Sequence, residues 1–217
     1  SFFGMFVQTL YNVVNTIFIG HAVDKLGNPI GPPAIAGLSI VFPVQMVFMG
    51  MGMMVGIGGT SLISRSIGAG DIARGERTLG NGVTCIMIIS VVITAAILPN
   101  INGFLRLIGA SSEVLPYARE YLRIIVSATF FNLLGMTLLN FIRAEGNARV
   151  GMIANIAGAV LNIILDAIFI FWLRMGVTGA ALGTVIAQFV ALVYMATYYY
   201  SGSSYLKFRR RNMRLDG

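Results

Sequence analysis

Six long runs of uncharged, mainly apolar residues constrain this chain more than any other feature. They cover about residues 2–22, 34–64, 78–98, 124–142, 150–173 and 177–200, and segments rich in Gly, Pro or charge separate them. We expect a polar loop from Arg65 to Arg77 and an interfacial amphipathic connection at about 99–123. Each run is close to or above the roughly 20 residues that an α-helix needs to cross a bilayer. The sequence therefore predicts an all-α, polytopic membrane protein with six transmembrane helices, which we call spans one to six.

The composition excludes several other classes of protein. Of the 217 residues, 57 % are hydrophobic and only 11 % are charged, whereas soluble domains carry about 25 % charged residues. So apolar a chain is not intrinsically disordered, and its single cysteine, Cys85, rules out a disulfide scaffold. No set of Ser, His and Cys resembles a catalytic triad, so we do not expect an enzyme. We expect residues 1–200 to form one transmembrane lobe and residues 201–217 to form a basic tail or linker.

The basic residues predict how the chain is oriented. The formal net charge is +7, and five of the fifteen basic residues lie in the last eleven positions, which is typical of a juxtamembrane cluster that contacts anionic lipid rather than nucleic acid. Ten basic residues follow spans two, four and six, against five on the other side. The positive-inside rule therefore predicts a cytoplasmic C-terminal tail. Because the chain opens at Ser1 without an initiator methionine or a charged leader, we expect a fragment whose first helix begins before residue 1.

Polar side chains inside the predicted spans mark the candidate site. Asp166 is the one acid deep within a span, and Asn162 lies one helical turn before it. Spans one, four and six add further polar residues, which are Gln8, Tyr11, Asn12 and Asn15, then Thr129, Asn132 and Asn140, then Thr184 and Gln188. This pattern predicts either a water-accessible cavity or a hydrogen-bonded core among these helices.

Asp166 favours a functional interpretation. An ionised Asp at mid-span costs about 2.5–3.5 kcal/mol, whereas an interhelical hydrogen bond returns only about 0.6 kcal/mol. Burial disfavours the charged carboxylate, so the group can bind and release a proton, or it can ligate a cation together with neighbouring oxygens. Amide, hydroxyl and carboxylate oxygens suit hard cations, and the stripe offers no His or Cys for a transition metal. A single Asn, by contrast, is explained by helix-to-helix hydrogen bonding alone.

Four sequence segments together resemble the MATE (multidrug and toxin extrusion) family, most closely its DinF-like branch. They are Leu10–His21 (LYNVVNTIFIGH), Ser64–Asp71 (SRSIGAGD), Asn162–Asp166 (NIILD) and Gly176–Thr184 (GVTGAALGT). Their order and their positions fit the N-terminal six-helix lobe of a transporter that has twelve helices in two lobes. The resemblance implies that a C-terminal lobe is missing from this sequence, and that the protein lies in a prokaryotic inner membrane.

The resemblance also implies a function and a set of site residues. It implies efflux of small organic, often cationic, compounds by alternating access, driven by entry of H⁺ or Na⁺ and without a cofactor. It assigns the coupling ion to Asp166, Asn162, Thr184 and the position of Asn15, with Na⁺ at the first three, and it assigns Gln8, Tyr11 and Asn140 to the substrate cavity. The family has Asp at the position of Asn15, so one protonatable group is absent here.

Two alternatives remain open at the level of sequence. A flippase for lipid-linked oligosaccharides from the same superfamily would need cationic residues inside the membrane for its pyrophosphate, and the spans contain none. A non-transport membrane scaffold would have no use for a buried acid, and Asp166 is the argument against it.

Overall fold

The computed structural model describes residues 13–14, 16–21, 30–201 and 204–206, and nearly all of them are helical. The part of α1 that is described covers residues 13–14 and 16–20. The helices that follow are α2 (Gly31–Gly68), α3 (Ile72–Ile97), α4 (Ile101–Leu107), α5 (Leu115–Ser127), α6 (Thr129–Ala144), α7 (Ala148–Ala167) and α8 (Gly176–Tyr200). A 3-10 turn, Leu98–Asn100, joins α3 to α4, and a π-helical segment, Ile168–Trp172, extends α7. The predicted all-α, polytopic fold class is confirmed.

Four helical units of the described chain are long and apolar enough to cross a membrane. They are α2, the continuous unit of α3 and α4, α7 with its π-helical segment, and α8, and the bent pair of α5 and α6 supplies a fifth. Span one, predicted over residues 2–22, lies largely outside the described residues, as does most of the tail at 201–217. The count of six spans and the division at residue 200 stay predictions.

Helix α2 is longer than a helix needs to be to cross a bilayer along its normal. Its 38 residues extend for about 57 Å, nearly twice the thickness of a hydrocarbon core, and the helix continues through Pro43. The sequence predicts span two at 34–64, a polar connection from Arg65 to Arg77 and span three at 78–98. In the structure, only residues 69–71 separate α2 from α3. The helices continue because charged residues in their terminal turns can lie outside the hydrocarbon core.

The expected span four, at 124–142, is divided between two helices. Helices α5 and α6 meet at Ala128 with a bend of 55°. Helix α5 has a buried apolar face that includes Leu122 and Ile125, and an exposed charged face that includes Arg119 and Arg123. The connection at 99–123, expected as an amphipathic piece, is therefore largely helical, and α5 packs against α2 and α8.

Two apolar clusters hold the bundle together. One lies among α2, α3, α5 and the start of α8, and the other lies among α6, the end of α8 and the adjoining ends of α2 and α3. Glycines allow close packing in the second cluster, where the ring of Phe141 lies so close to Gly82 that a Cβ there would be 2.8 Å from the ring. Helix α7 packs along α8, and this contact creates the candidate site.

Candidate functional site

Helix α7 places two polar side chains on its buried face. Asn162 and Asp166 are one turn apart, so both project from the same side of the helix. Only 3 % of Asn162 and 1 % of Asp166 is exposed, although most neighbouring residues of α7 are half-buried or exposed. The buried face of α7 is therefore polar around Asn162 and Asp166, although burying apolar side chains there would have cost less free energy.

Thr184 of α8 completes the cluster from the opposite helix. The side-chain amide nitrogen of Asn162 lies 3.3 Å from the hydroxyl oxygen of Thr184 and donates a hydrogen bond to it. The Thr184 hydroxyl in turn donates to the carbonyl oxygen of Ala180 at 2.9 Å, one turn earlier in α8. The structure thus brings together the three residues that the sequence analysis assigned to a shared site on spans five and six.

Gly183 makes the close approach of Asp166 to α8 possible. A Cβ atom at Gly183 would collide with Oδ1 of Asp166, and it would lie 3.4 Å from the backbone nitrogen of the same residue. Any side chain at this position would therefore displace the carboxylate or separate the two helices. Gly179 serves the same contact one turn earlier, where its Cβ would be 2.9 Å from Cβ of Phe169. The two glycines thus allow α8 to pack closely against α7 and the segment that follows it.

Two oxygens in the cluster are buried and have no hydrogen-bond partner among the described residues. They are Oδ1 of Asp166 and Oδ1 of Asn162. An unmatched buried oxygen costs about 1–3 kcal/mol, more if it is charged, so the cluster is poised to accept a ligand that supplies positive charge or a proton. A carboxylate oxygen and an amide oxygen, with the Thr184 hydroxyl beside them, fit a hard monovalent cation by donor type. In the described chain, no group of three or more His, Cys, Asp or Glu residues could hold a metal ion.

The site residues predicted on span one lie outside the described residues. These are Gln8, Tyr11 and Asn15. The described part of α1 is connected to the region after the site, because the ring of Phe18 packs edge-on against that of Phe171 at a centroid distance of 5.2 Å. Phe171 belongs to the π-helical segment that follows Asp166, so α1 is adjacent to the continuation of α7.

Asn140 occupies a different interface from the other described site residues. Its side-chain amide donates to the carbonyl oxygen of Met136 at 2.9 Å, and it packs on Gly56 of α2. The backbone carbonyl of Asn140 accepts from the Thr60 hydroxyl at 3.3 Å. These contacts join α6 to α2, whereas the Asp166 cluster joins α7 to α8. A role for Asn140 in a substrate cavity therefore stays a prediction.

Comparison with known proteins finds relatives that match most of this chain. The MatE family model matches residues 1–168. The chain is 32 % identical over 196 residues to the multidrug export protein MepA of Staphylococcus saprophyticus, a match that covers 90 % of this chain and 42 % of that protein.

Two solved structures show the same fold. They are described as the outward-facing and the inward-facing conformation of a multidrug resistance MATE family transporter of the MOP superfamily. The TM-scores are 0.88 and 0.87, at 31 % and 30 % identity, and the matches cover 98 % and 96 % of this chain. Each covers 46 % of the solved chain, so this chain spans less than half the length of the relatives it matches.

Proposed function

This chain belongs to the MATE family of transporters, and from that premise we propose that it forms one lobe of a secondary active exporter of small organic, often cationic, compounds. A second six-helix lobe supplies the other half of the transport pathway. The protein acts as a transporter rather than an enzyme, and it consumes no ATP. MepA, which is named a multidrug export protein, supports this class of substrate.

The observation that carries the proposal is the buried carboxylate of Asp166, with an unpartnered oxygen beside Asn162 and Thr184. A membrane protein retains such an acid at a cost that a purely structural role does not offset. Binding of H⁺ or Na⁺ removes that cost, so the occupied site and the empty site differ in free energy. Alternating access requires this difference, because an ion drives a conformational change only through its unequal affinity for the two states.

Asn15 modifies the coupling in this proposal. An amide oxygen can ligate a cation, but an amide cannot take up a proton or carry a negative charge. With Asn in place of a second acid, Asp166 lacks a neighbouring carboxylate on span one that would attract a cation or raise its proton affinity. Coupling then depends on Asp166 alone within this lobe.

The exposed position of the basic residues supports export of organic cations over flipping of lipid-linked oligosaccharides. Each of the nine arginines in the described part of the chain is exposed, including Arg119 and Arg123 on the outer face of α5. A pyrophosphate headgroup in the interior would need Arg or Lys there to compensate its charge. The interior of this lobe offers carboxylate, amide and hydroxyl oxygens instead, which attract cations.

The proposal is tested by ion-dependent stability of the purified chain in detergent. We expect Na⁺, exchanged for choline at constant ionic strength, or a fall in pH to raise the melting temperature, because a ligand that binds only the folded state stabilises it by about 2.7 kcal/mol at 100 times its Kd. Asp166→Asn should remove the response to Na⁺ and reduce the response to pH, while Glu113→Gln, which alters an exposed acid, should keep both. A full response in Asp166→Asn would overturn the assignment.

Efflux by the twelve-helix transporter provides the second test. We expect Asp166→Asn to insert normally and to abolish resistance to toxic cations at matched membrane levels. Asn15→Asp should strengthen the Na⁺ response and change the dependence of efflux on pH. Unchanged efflux and unchanged ion response in Asn15→Asp would show that the span-one position takes no part in coupling.

A further inference from the structure

A second buried acid, Glu145, lies in the turn between α6 and α7, at the opposite end of α7 from Asp166. Only 8 % of its surface is exposed. Burial raises the pKa of Glu145 above its ordinary value of 4.5, although several hydrogen bonds oppose that change. Such a residue in a turn at the end of a bundle requires explanation, because an acid there could remain in water at no cost.

One oxygen of Glu145 accepts three hydrogen bonds. The Ser204 hydroxyl donates to Oε2 at 2.7 Å, the Tyr198 hydroxyl at 3.1 Å and the backbone N–H of Tyr205 at 3.2 Å. Tyr198 belongs to the last turn of α8, and the other two donors belong to the segment that leaves α8. The three donors are more than 50 residues from Glu145 in sequence, so the carboxylate fastens the exit of α8 to the α6–α7 turn.

Leu206 fixes the same segment at a second point. Its side chain is fully buried, and its backbone N–H donates to the Ser204 hydroxyl at 3.0 Å. It lies against the first turn of α3, where a Cβ at Gly75 would be 2.7 Å from Cδ2 of Leu206 and 3.7 Å from Cβ of Ser66. Leu206 therefore fills a socket, formed by Gly75 and the end of α2, that exists because Gly75 has no side chain.

We propose that Glu145 and the Gly75 socket form a latch that holds residues 204–206, so that the chain leaves the lobe from a fixed point beyond Leu206. The latch joins the α2–α3 turn, the α6–α7 turn and the end of α8 into one rigid end of the bundle. Where further chain follows, any hinge between this lobe and the next unit lies after Leu206 rather than at the end of α8. This assignment does not depend on the substrate or on the coupling ion.

Hydrogen exchange and tryptic cleavage of the purified 217-residue chain in detergent test the latch directly. The backbone N–H groups of Tyr205 and Leu206 are both bonded in the latch, and trypsin must draw residues 204–206 into its cleft to cut after Lys207. We expect Glu145→Ala to accelerate exchange in this segment and cleavage at Lys207 by about tenfold, because the variant loses the acceptor of three hydrogen bonds. Exchange in α2 should not change.

Two further variants keep the test decisive if Glu145→Ala disturbs folding. Ser204→Ala removes the shortest of the three hydrogen bonds without altering a helix, and it should accelerate both readouts while adding little in combination with Glu145→Ala. Gly75→Ala should expel Leu206 and accelerate both readouts while leaving Glu145 in place. Gly68→Ala is the matched control, because nothing lies within 4 Å of a Cβ at that position.

Three results would overturn the latch. The first is unchanged exchange and cleavage in Glu145→Ala and Ser204→Ala. The second is an equal acceleration in Gly68→Ala, which would indicate general loosening of this end of the bundle. The third is full additivity of Glu145→Ala and Ser204→Ala, which would show that the two residues do not act through one interaction.

Discussion

At the scale of single residues, the candidate site depends on a fit between one carboxylate and one missing side chain. Asp166 reaches α8 only because Gly183 leaves room for its Oδ1 atom. The neighbouring residue, Thr184, then accepts the hydrogen bond that orients Asn162. Two adjacent positions of α8 thus contribute to the site in different ways. Gly183 leaves space for the carboxylate, and Thr184 supplies a hydroxyl group.

The close contact between Gly183 and Asp166 predicts that Gly183→Ala lowers stability, although alanine has a higher helix propensity than glycine. We expect it to destabilise the chain by about 1–3 kcal/mol, as overpacking does in a close-packed interior, and to weaken the ion-dependent rise in melting temperature. Gly58→Ala in α2 is the matched control, since a Cβ there contacts nothing within 4 Å, and it should be neutral or stabilising by up to about 1 kcal/mol. Equal melting temperatures for the two variants would refute the fit.

Glu145 predicts a pH dependence of stability with a definite sign. Burial raises its pKa in the folded protein, so the folded state binds the proton more tightly than the unfolded state. The part of the stability that depends on the proton bound to Glu145 is therefore complete below its ordinary pKa of 4.5 and is lost as the pH rises through the raised value. Tyr198 and Tyr199 face it from α8, and the Tyr198 hydroxyl donates a hydrogen bond to it.

Glu145→Gln should remove that dependence, because glutamine keeps an acceptor oxygen and does not ionise. We expect the melting temperature of the variant, relative to the original chain, to increase as the pH is raised from 4 to 8. Glu113→Gln, at an exposed position, provides the control and should show no such trend. A relative melting temperature that falls with pH would mean that the charged form of Glu145 is the one stabilised by folding.

At the scale of helices and turns, the chain uses the same helix connection twice. The sequences around Gly70 and Gly146 are similar, and both glycines have positive φ, 73° and 85°. In each turn the next residue donates its backbone N–H to the carbonyl five positions earlier, at 2.9 Å for Asp71 and 3.2 Å for Asn147. The two similar sequences therefore form the same helix-ending motif.

The first of these turns is shorter than the sequence predicts. The sequence predicts a loop from Arg65 to Arg77, but Asp71 is a helix N-cap residue, and its carboxylate accepts from the backbone N–H of Arg74 at 3.0 Å. Charge was taken as a sign of a loop, but at a membrane surface charged residues also occupy the ends of helices. The bend at Ala128 and the π-helical segment after α7 gave no comparable local signal.

Local and long-range features differ in how far the sequence predicts them. Asn162 and Asp166 could be placed on one face because a helix fixes their spacing. The fit of Gly183 to Asp166 could not, since it depends on the register between two packed helices. The hydrogen bonds of Glu145 to the end of α8 and the segment after it could be predicted even less, because they join residues 53–60 positions apart.

The N-cap predicts a measurable difference between two substitutions of Asp71. We expect Asp71→Ala to destabilise the chain by about 1 kcal/mol, because the first turn of α3 loses its side-chain acceptor. Asp71→Asn should retain most of the stability, since Asn caps helices about as well as Asp. Thermal unfolding in detergent distinguishes them, and equal losses in both variants would attribute the effect to the charge of Asp71 rather than to its hydrogen bond.

At the scale of the whole molecule, the chain aligns almost equally well with an outward-facing and an inward-facing transporter, at TM-scores of 0.88 and 0.87. Its fold is therefore compatible with both conformations. In the two-lobe transporter that we propose, we expect the larger movements at the interface between the lobes and in the chain that connects them.

The distribution of basic residues predicts the orientation of the chain in the membrane. In the sequence, ten basic residues follow the predicted spans two, four and six, against five in the other connections, and short basic segments stay in the cytoplasm. After Cys85→Ser removes the native thiol, Ala73→Cys and Ser112→Cys introduce single exposed cysteines at the two ends. In intact cells, we expect a membrane-impermeant maleimide to label Ser112→Cys at once and Ala73→Cys only after permeabilisation. The reverse pattern would place the basic end outside, and equal labelling of both would show a mixed orientation, so that either result would contradict the charge argument.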